Sequence, residues 1–596
     1  MRFVLALLLV LPVSAQIPLT EPFELPGVTY ASNVPAPEDV IGHVIGSRHT
    51  RPDQIVEYFE AVDAASDRVS VREYGRTWEG RPLIYAVVAS PANVARIDEI
   101  VEQNRQLSDA PESVSDAMLG EMPAVVHLHY AVHGNEASGA EAALLVLYHL
   151  AAGQGAPVED VLSNTVVIID PVINPDGLDR FADWVNRNRG GVPTADPQDR
   201  EHNEAWPNGR TNHYLFDLNR DWLLVQHPES KGRVELFHTF RPQVLIDVHE
   251  MGGNSTFFFQ PGVPSRNNPN TPARTFDLTR ELATYHAAAL DRIGSLYYTE
   301  ESFDDFYYGK GSTYPDVNGA VGVLFEQGSS RGLERETTQG RLTYGFGVMN
   351  QLAASLGTLA GAVNMRERLL RHQRDFYAEA DRVAQAMTAQ AYVVGTGSSG
   401  HSRWRALGEM LKRHRIEVHA LAEPVTQNGQ RFEPGSAFVV PVRQKQARLV
   451  KAVFERVRTF QDSLFYDVST WTMPLAFNLP YAEVRSAGTI VGDEIDQFEP
   501  MGQMMAGEGT PYAYLIEWGG YYAPRTLGRL LRAGVEVRTA VKPFRARVGD
   551  ATLAFGRGTL IVPTRQRNAD ATVTPEGVAA IVRQAVDEDD ARAFAT

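Results

Sequence analysis

Four residues in three stretches of the chain have side chains suited to hydrolytic chemistry: His133 and Glu136, spaced His-x-x-Glu, then His249, then Glu326. Two imidazoles and a carboxylate offer the nitrogen and oxygen ligands that zinc takes at about 2.0–2.2 Å, with a fourth position left for water. An ion held this way lowers the pKa of that water towards about 7 and polarises a scissile carbonyl. A further carboxylate nearby takes the proton and passes it to the leaving amine, and Glu326 is the residue placed for that task. An isolated His-x-x-Glu pair matches often by chance, so its weight rests on where the fold puts it.

The positions of these residues are set by apolar, β-branched runs. Residues 125–129 read as a strand and residues 140–151 as a helix ended by Gly153, so His133 and Glu136 fall in the loop between them. Residues 166–169, 244–248 and 321–325 read as further buried strands, with His249 directly after the second of these and Glu326 directly after the third. Strands separated by helix-length segments predict an α/β sheet domain, and such sheets place their sites at the carboxyl ends of strands. Upstream, Thr50 as a cap, Pro52 in the first turn, and Ile55, Tyr58, Phe59 and Val62 at helical spacing predict a helix to Ala65.

Several segments resemble the zinc carboxypeptidase family (A/B type), in matching order over residues 74–328. They are Tyr74-Gly75-Arg76-Thr77-Trp78-Glu79-Gly80-Arg81-Pro82-Leu83, His133-Gly134-Asn135-Glu136, Asn174-Pro175-Asp176-Gly177, Asp217-Leu218-Asn219-Arg220-Asp221-Trp222, Asp247-Val248-His249 and Phe325-Glu326. The resemblance implies a mixed-sheet α/β catalytic domain holding one Zn2+ per chain on His133, Glu136 and His249, with Glu326 as general base and acid. It further implies that Asn219 and Arg220 grip the terminal carboxylate of the substrate, a task suited to the planar arginine fork, and that Asp217 orients the first zinc histidine. The arginine that stabilises the developing oxyanion is expected after the Asn-Pro-Asp-Gly segment, where Arg187 and Arg189 are candidates and spacing favours Arg189. The tyrosine that closes over the substrate should precede Gly311-Ser312, with Tyr308 preferred over Tyr307. Aligned through that Gly-Ser, the position governing side-chain preference is Thr313, neither apolar nor acidic.

Other polar residues have plainer readings. His127 and His129 share one face of a strand and read as satisfied sheet histidines. His149 reads as a packing or capping residue on its helix, and Glu250 either supports the site or is an ordinary loop carboxylate.

At 596 residues the chain exceeds the roughly 250–300 at which one hydrophobic core stops growing, so at least two domains are expected. The net charge of -17 repels polyanions and argues against nucleic acid as substrate or partner. With no cysteine in the chain, disulfides, thiolate ligands and cysteine nucleophiles are excluded. Residues 1–15, with Arg2, a short apolar run and Val13-Ser14-Ala15, read as an export signal, placing the mature protein in the periplasm or outside the cell. No later segment is expected to span a membrane.

Residues 16–49, rich in proline at the start, are read as an extended arm, residues 50–390 as the catalytic domain, and residues 391–596 as a C-terminal α/β region. In that region Ala391-Tyr392 recurs as Ala513-Tyr514, Leu407-Gly408 as Leu527-Gly528, and Val439-Val440-Pro441 as Ile561-Val562-Pro563, which predicts two similar, non-catalytic units. The expected function is removal of C-terminal residues from peptides by a zinc enzyme. The alternatives are a zinc amidase or deacylase acting on cell-wall peptides or acyl-amino acids, and a catalytically idle peptide- or glycan-binding protein.

Overall fold

The computed structural model describes residues 25, 27–397, 401–462, 472–505, 511–566 and 573–596, so the expected export signal lies outside the described residues. Contacts divide the chain into two compact units, Met1–Ala378 with Phe460–Ser469, and Glu379–Thr459 with Thr470–Thr596. The division falls upstream of Gln390, because the helix Ala380–Ala386 packs on the helix Ala447–Phe454 of the second unit.

The first unit is built on one sheet of eight strands: β1 (Val69–Arg76), β2 (Pro82–Val88), β3 (Ala124–His129), β4 (Thr165–Asp170), β5 (Val244–Met251), β6 (Phe257–Phe259), β7 (Tyr297–Tyr298) and β8 (Val321–Gly328). Their order is β1-β2-β4-β3-β5-β8-β6-β7. The central strands β4, β3, β5 and β8 pair in parallel, while β1, β2 and β6 add antiparallel pairings. The sheet is therefore mixed, as expected.

Strand alternation sorts the residues of the central strands into two faces. Val126, Leu128, Val244, Ile246, Val248, Val321, Val323 and Phe325 enter the main core on one face. That core also takes in α1 (Pro52–Ala65), α3 (Ser138–Ala152), α6 (Ala273–Ile293) and α7 (Tyr344–Ala378). The opposite face packs on α2 (Ile97–Asp109) and α5 (Pro228–Phe240) through Ile97, Ile100, Leu236 and Phe240. It also carries the polar residues of β3 and β5, namely His127, His129, Asp247 and His249, all buried. Between these two helices in the chain, α4 (Pro175–Asn188) starts with Asn174, whose side chain accepts from Gly177 N–H. Asn-Pro-Asp-Gly is thus a helix start: a cap, then proline where the missing N–H costs nothing.

Two expectations change. Thr50 does not cap α1, whose N-cap is Arg51; instead the Thr50 N–H and hydroxyl both donate to the buried Glu141 carboxylate, at 3.0 and 2.9 Å. Residues 27–49 are not a loose arm, since Thr29–Tyr30 pairs with Gly153–Gln154 and Val34, Ile41 and Ile45 join the main core. Helix α7 is long and apolar enough by length and composition to cross a membrane, but 72% of its most apolar window is buried inside the protein, which makes it a core helix.

In the second unit, one antiparallel sheet orders Tyr481–Val484, Ala391–Gly395, Ala437–Pro441, His419–Leu421 and Val491–Glu494. Another orders Gln503–Met505, Arg592–Ala595, Ala513–Ile516, Leu560–Pro563 and Arg538–Thr539. The recurring sequence segments occupy like places in the two sheets. Ala391 pairs with Pro441 and Tyr392 with Val440, as Ala513 pairs with Pro563 and Tyr514 with Val562.

Candidate metal centre

The loop after β3 turns back on itself through Ala131, at φ 50°, and delivers His133 and Glu136 beside the end of β5. The turn is tight enough to demand glycine next to the histidine: a Cβ on Gly134 would sit 2.0 Å from Leu178 N and 2.2 Å from Gly177 C, at the start of α4. His249 comes from β5 itself, which runs on to Met251, and Glu326 pairs with it in register on β8. Directly paired residues of adjacent strands project from the same face, so Glu326 stands beside His249.

One ligand atom each from His133, Glu136 and His249 lies within 4.8 Å of the others, and all three residues are buried. His133 Nδ1 is 2.8 Å from Glu136 Oε1, His249 Nδ1 is 2.9 Å from Glu136 Oε2, and the two Nδ1 atoms are 3.2 Å apart. The far nitrogens face carboxylates: His133 Nε2 is 3.0 Å from Asp217 Oδ1, and His249 Nε2 is 2.9 Å from Asp247 Oδ2. With each Nε2–H donating outward, both Nδ1 atoms turn lone pairs towards each other and towards the Glu136 carboxylate. A cation satisfies that arrangement, and the nitrogen, nitrogen, oxygen donor set with carboxylates behind the imidazoles fits zinc. The same demand for positive charge shows in His249: burial works against a charged ring, but Asp247 and Glu136 hold its pKa well above the ordinary value.

The Glu326 side chain has no hydrogen bond among the described residues, and burial pushes its carboxyl up to about 7, with His249 pulling it down and Glu136 pushing it up. A base near neutral pKa is matched to proton transfer at physiological pH.

The sequence of residues 55–312 matches the zinc carboxypeptidase family. The match covers less than half of the chain. Carboxypeptidase 2 of Trichophyton rubrum is 28% identical over 132 residues, covering 22% of this chain and 19% of that one, so the chain spans about a fifth of the length of such relatives. Among solved structures, a metallo-carboxypeptidase from Burkholderia cenocepacia aligns at TM-score 0.35 and 16% identity, over 54% of this chain and 70% of that one. Carboxypeptidase A from Helicoverpa armigera aligns at TM-score 0.33 and 16% identity, over 57% and 80%.

Within residues 55–312, the sequence motifs form one chain of contacts. Asp176 Oδ1 accepts from Thr77 Oγ1 and Arg81 Nη1, both at 2.8 Å, tying the β1–β2 connection to the start of α4. Asn174 Nδ2 donates to Arg210 O at 3.1 Å, and Glu204 Oε1 accepts from Asn135 Nδ2 and Gly209 N–H at 3.0 and 2.7 Å. The loop so held places Arg210 at the centre, with Nη1 3.4 Å from Glu136 Oε1 and Nη2 2.9 Å from Asp217 Oδ2.

Arg210 was not among the sequence candidates for the oxyanion arginine, and neither candidate is at the centre. Arg187 pairs with Asp183 at the surface, and Arg189 lies near His43 and His49, whose pKa values are lowered mainly by burial and further by that charge. The signal that could have found Arg210 is its place ahead of Asp217 in the glycine-bearing segment Asn208-Gly209-Arg210.

Other expected site residues are placed as follows. The Asn219 amide donates to Asp247 Oδ2 at 3.0 Å and accepts from Gly311 N–H at 2.9 Å. Gly311 is needed for that approach, since a Cβ there would meet Asp247 Oδ2 at 2.7 Å. Tyr308 turns its hydroxyl to Thr271 Oγ1 at 2.9 Å, whereas the Tyr307 hydroxyl reaches Arg220 O at 3.4 Å, so Tyr307 is the tyrosine beside the Arg220 turn. Thr313 donates to Asp305 Oδ1 at 3.0 Å.

Glu250 supports the ligand set through its backbone, whose N–H donates to Glu136 Oε2 at 2.9 Å, while its carboxylate accepts from Ser138 N–H at 2.7 Å. His127 and His129 are within 2.8 Å of each other, Nε2 to Nε2, and belong to the buried sheet face, not to the ligand group. His149 bonds the Tyr30 hydroxyl at 3.1 Å, a packing role.

Proposed function

We propose that the chain removes C-terminal residues from peptides, and that it does so outside the cytoplasm. The observation that carries the reading is the convergence of His133 Nδ1, His249 Nδ1 and the Glu136 carboxylate, with Glu326 in register beside His249. The chemistry a zinc ion supplies when bound there is polarisation of the scissile carbonyl and acidification of a water molecule.

The rest is the work of the chain's own residues. Arg220 receives the terminal carboxylate of the peptide in the bidentate manner an arginine fork allows, with Tyr307 beside it. Glu326 takes a proton from the attacking water and delivers it to the nitrogen of the leaving residue. Arg210, 41% exposed at its side chain and already at the edge of the ligand group, meets the negative charge that develops on the carbonyl oxygen. Asp217 and Asp247 hold the two histidines in the tautomer that turns Nδ1 inward. The localisation rests on the signal-like residues 1–15.

The test is metal content by mass spectrometry on purified protein, together with hydrolysis of a mixed peptide library with and without chelator. One zinc per chain and chelator-sensitive loss of C-terminal residues is the expected result. Zinc with cleavage at other amide bonds overturns the carboxypeptidase reading in favour of an amidase, and no zinc with no turnover overturns the enzyme reading altogether.

A further inference from the structure

Arg233, on α5, is a cation with no contact to any metal ligand and no access to solvent: it is 0% exposed. Taking a guanidinium out of water is costly unless the interior repays it. Its Nη2 donates to the carbonyl of Leu218 and, at 3.3 Å, to Ser230 Oγ, while Nε and Nη1 have no hydrogen-bond partner among the described residues. The flat face of the guanidinium lies on the ring of Trp222, 4.4 Å to the centroid, and Trp222 in turn stacks on His129 at 5.4 Å. The carboxylates whose charge bears on it are Asp221, Asp247 and Asp170.

The Leu218 carbonyl belongs to the first residue of a single turn, Leu218–Arg220, capped by Asp217. From that turn Asp217 reaches His133 Nε2 and Asn219 reaches Asp247. The second carboxylate, Asp247, orients His249 and lies within the field of the same guanidinium.

We propose that Arg233 is a positioning residue for the metal centre, clamping the Asp217–Arg220 turn through Leu218 O and balancing the charge of Asp247 behind His249. This rests on the zinc-site reading above but not on any peptide substrate.

The experiment compares Arg233→Met and Arg233→Lys with the parent chain by competition for zinc against a chromogenic chelator. Leu290→Ala in the main core serves as a control of comparable thermal destabilisation, and near-UV circular dichroism checks the fold of the stripped proteins. Arg233→Met is expected to weaken zinc binding by about 10–100-fold, the range seen when a group behind a metal ligand is lost. Arg233→Lys, which keeps charge but not the planar fork, is expected to recover only part of the loss. Zinc affinity of Arg233→Met within twofold of the parent, or no weaker than in Leu290→Ala, overturns the proposal. If Arg233→Met does not fold, Arg233→Lys decides, and parental affinity there overturns it equally. A parent that binds no zinc removes the metal-site reading and this one together, whereas a parent that binds zinc and cleaves no peptide sinks only the hydrolysis reading.

Discussion

The guanidinium of Arg210 grips the carboxylate of Asp217, Nη2 to Oδ2 at 2.9 Å, while the other oxygen of that carboxylate faces His133 Nε2 at 3.0 Å. One carboxylate thus holds both His133 and the Arg210 guanidinium at the edge of the ligand group. Arg210→Ala is expected to lower kcat by about 10²–10³, the effect of removing one donor to a developing oxyanion, with zinc retained. Arg189→Ala, away from the centre, should leave steady-state kinetics unchanged; a large loss there with a silent Arg210→Ala reverses the assignment.

Glu326→Gln keeps the size of the side chain and removes its capacity to accept a proton. Zinc content should match the parent and kcat should fall by about 10²–10⁴, as expected for loss of a general base. Full activity in this variant, read by single-turnover kinetics, rules Glu326 out as the proton carrier.

The two adjacent tyrosines separate cleanly by their partners. Tyr307→Phe is expected to raise KM or lower kcat for peptide substrates, because its hydroxyl borders the Arg220 turn at 3.4 Å. Tyr308→Phe loses a buried bond to Thr271, and should cost about 0.5–1.5 kcal/mol of stability with little change in kinetics. Thermal unfolding and Michaelis profiles of the pair distinguish the two outcomes.

Glu141 provides a pH test remote from the metal ligands. Burial is the main influence on its carboxyl and pushes the pKa up to about 7, despite hydrogen bonds from Gly46 and Thr50 that pull it down. A carboxyl whose folded pKa is raised binds its proton more tightly in the folded state, so stability falls as pH rises from the ordinary value towards 7 and the cost is complete above it. From pH 4 to pH 8 this one group should remove about 3 kcal/mol from the unfolding free energy. The difference between parent and Glu141→Gln in denaturant titrations should shift by that amount in the sense of a relatively more stable variant at high pH. A pH-independent difference defeats the assignment.

What could be read along the chain and what could not divides by the range of the interaction. Alternation and apolar runs are local properties, so β3, β4, β5 and β8 and the positions of His133, His249 and Glu326 relative to them were legible, to within a few residues at strand ends. Their places at strand ends and the family resemblance brought His133, Glu136 and His249 into one expected ligand set, and their ligand atoms lie within 4.8 Å of one another.

The arginine and tyrosine assignments behaved differently. Arg189 is close to the Asn-Pro-Asp-Gly segment in sequence, yet Arg189 N–H is used to end α4, bonding Val185 O, and its side chain lies near His49. Arg210 is brought to the centre by Asn174, Glu204 and Asn135 acting on a loop with no periodic pattern. Thr50 looked like a helix cap and became a partner of Glu141, 91 residues away, because a buried carboxylate needs donors wherever the fold can supply them.

The sequence by itself therefore determined which strands carry the candidate metal and base residues, since these follow from short-range period, while its motifs, through the family they resemble, supplied the expected carboxylate-binding pair. Only the tertiary structure decided that Arg210 and not Arg189 stands at the centre, that Tyr307 and not Tyr308 borders Arg220, and that the Asn219 amide serves Asp247 and Gly311. Each of those outcomes depends on the direction of one side chain against partners distant in sequence, and no local pattern encodes such a direction.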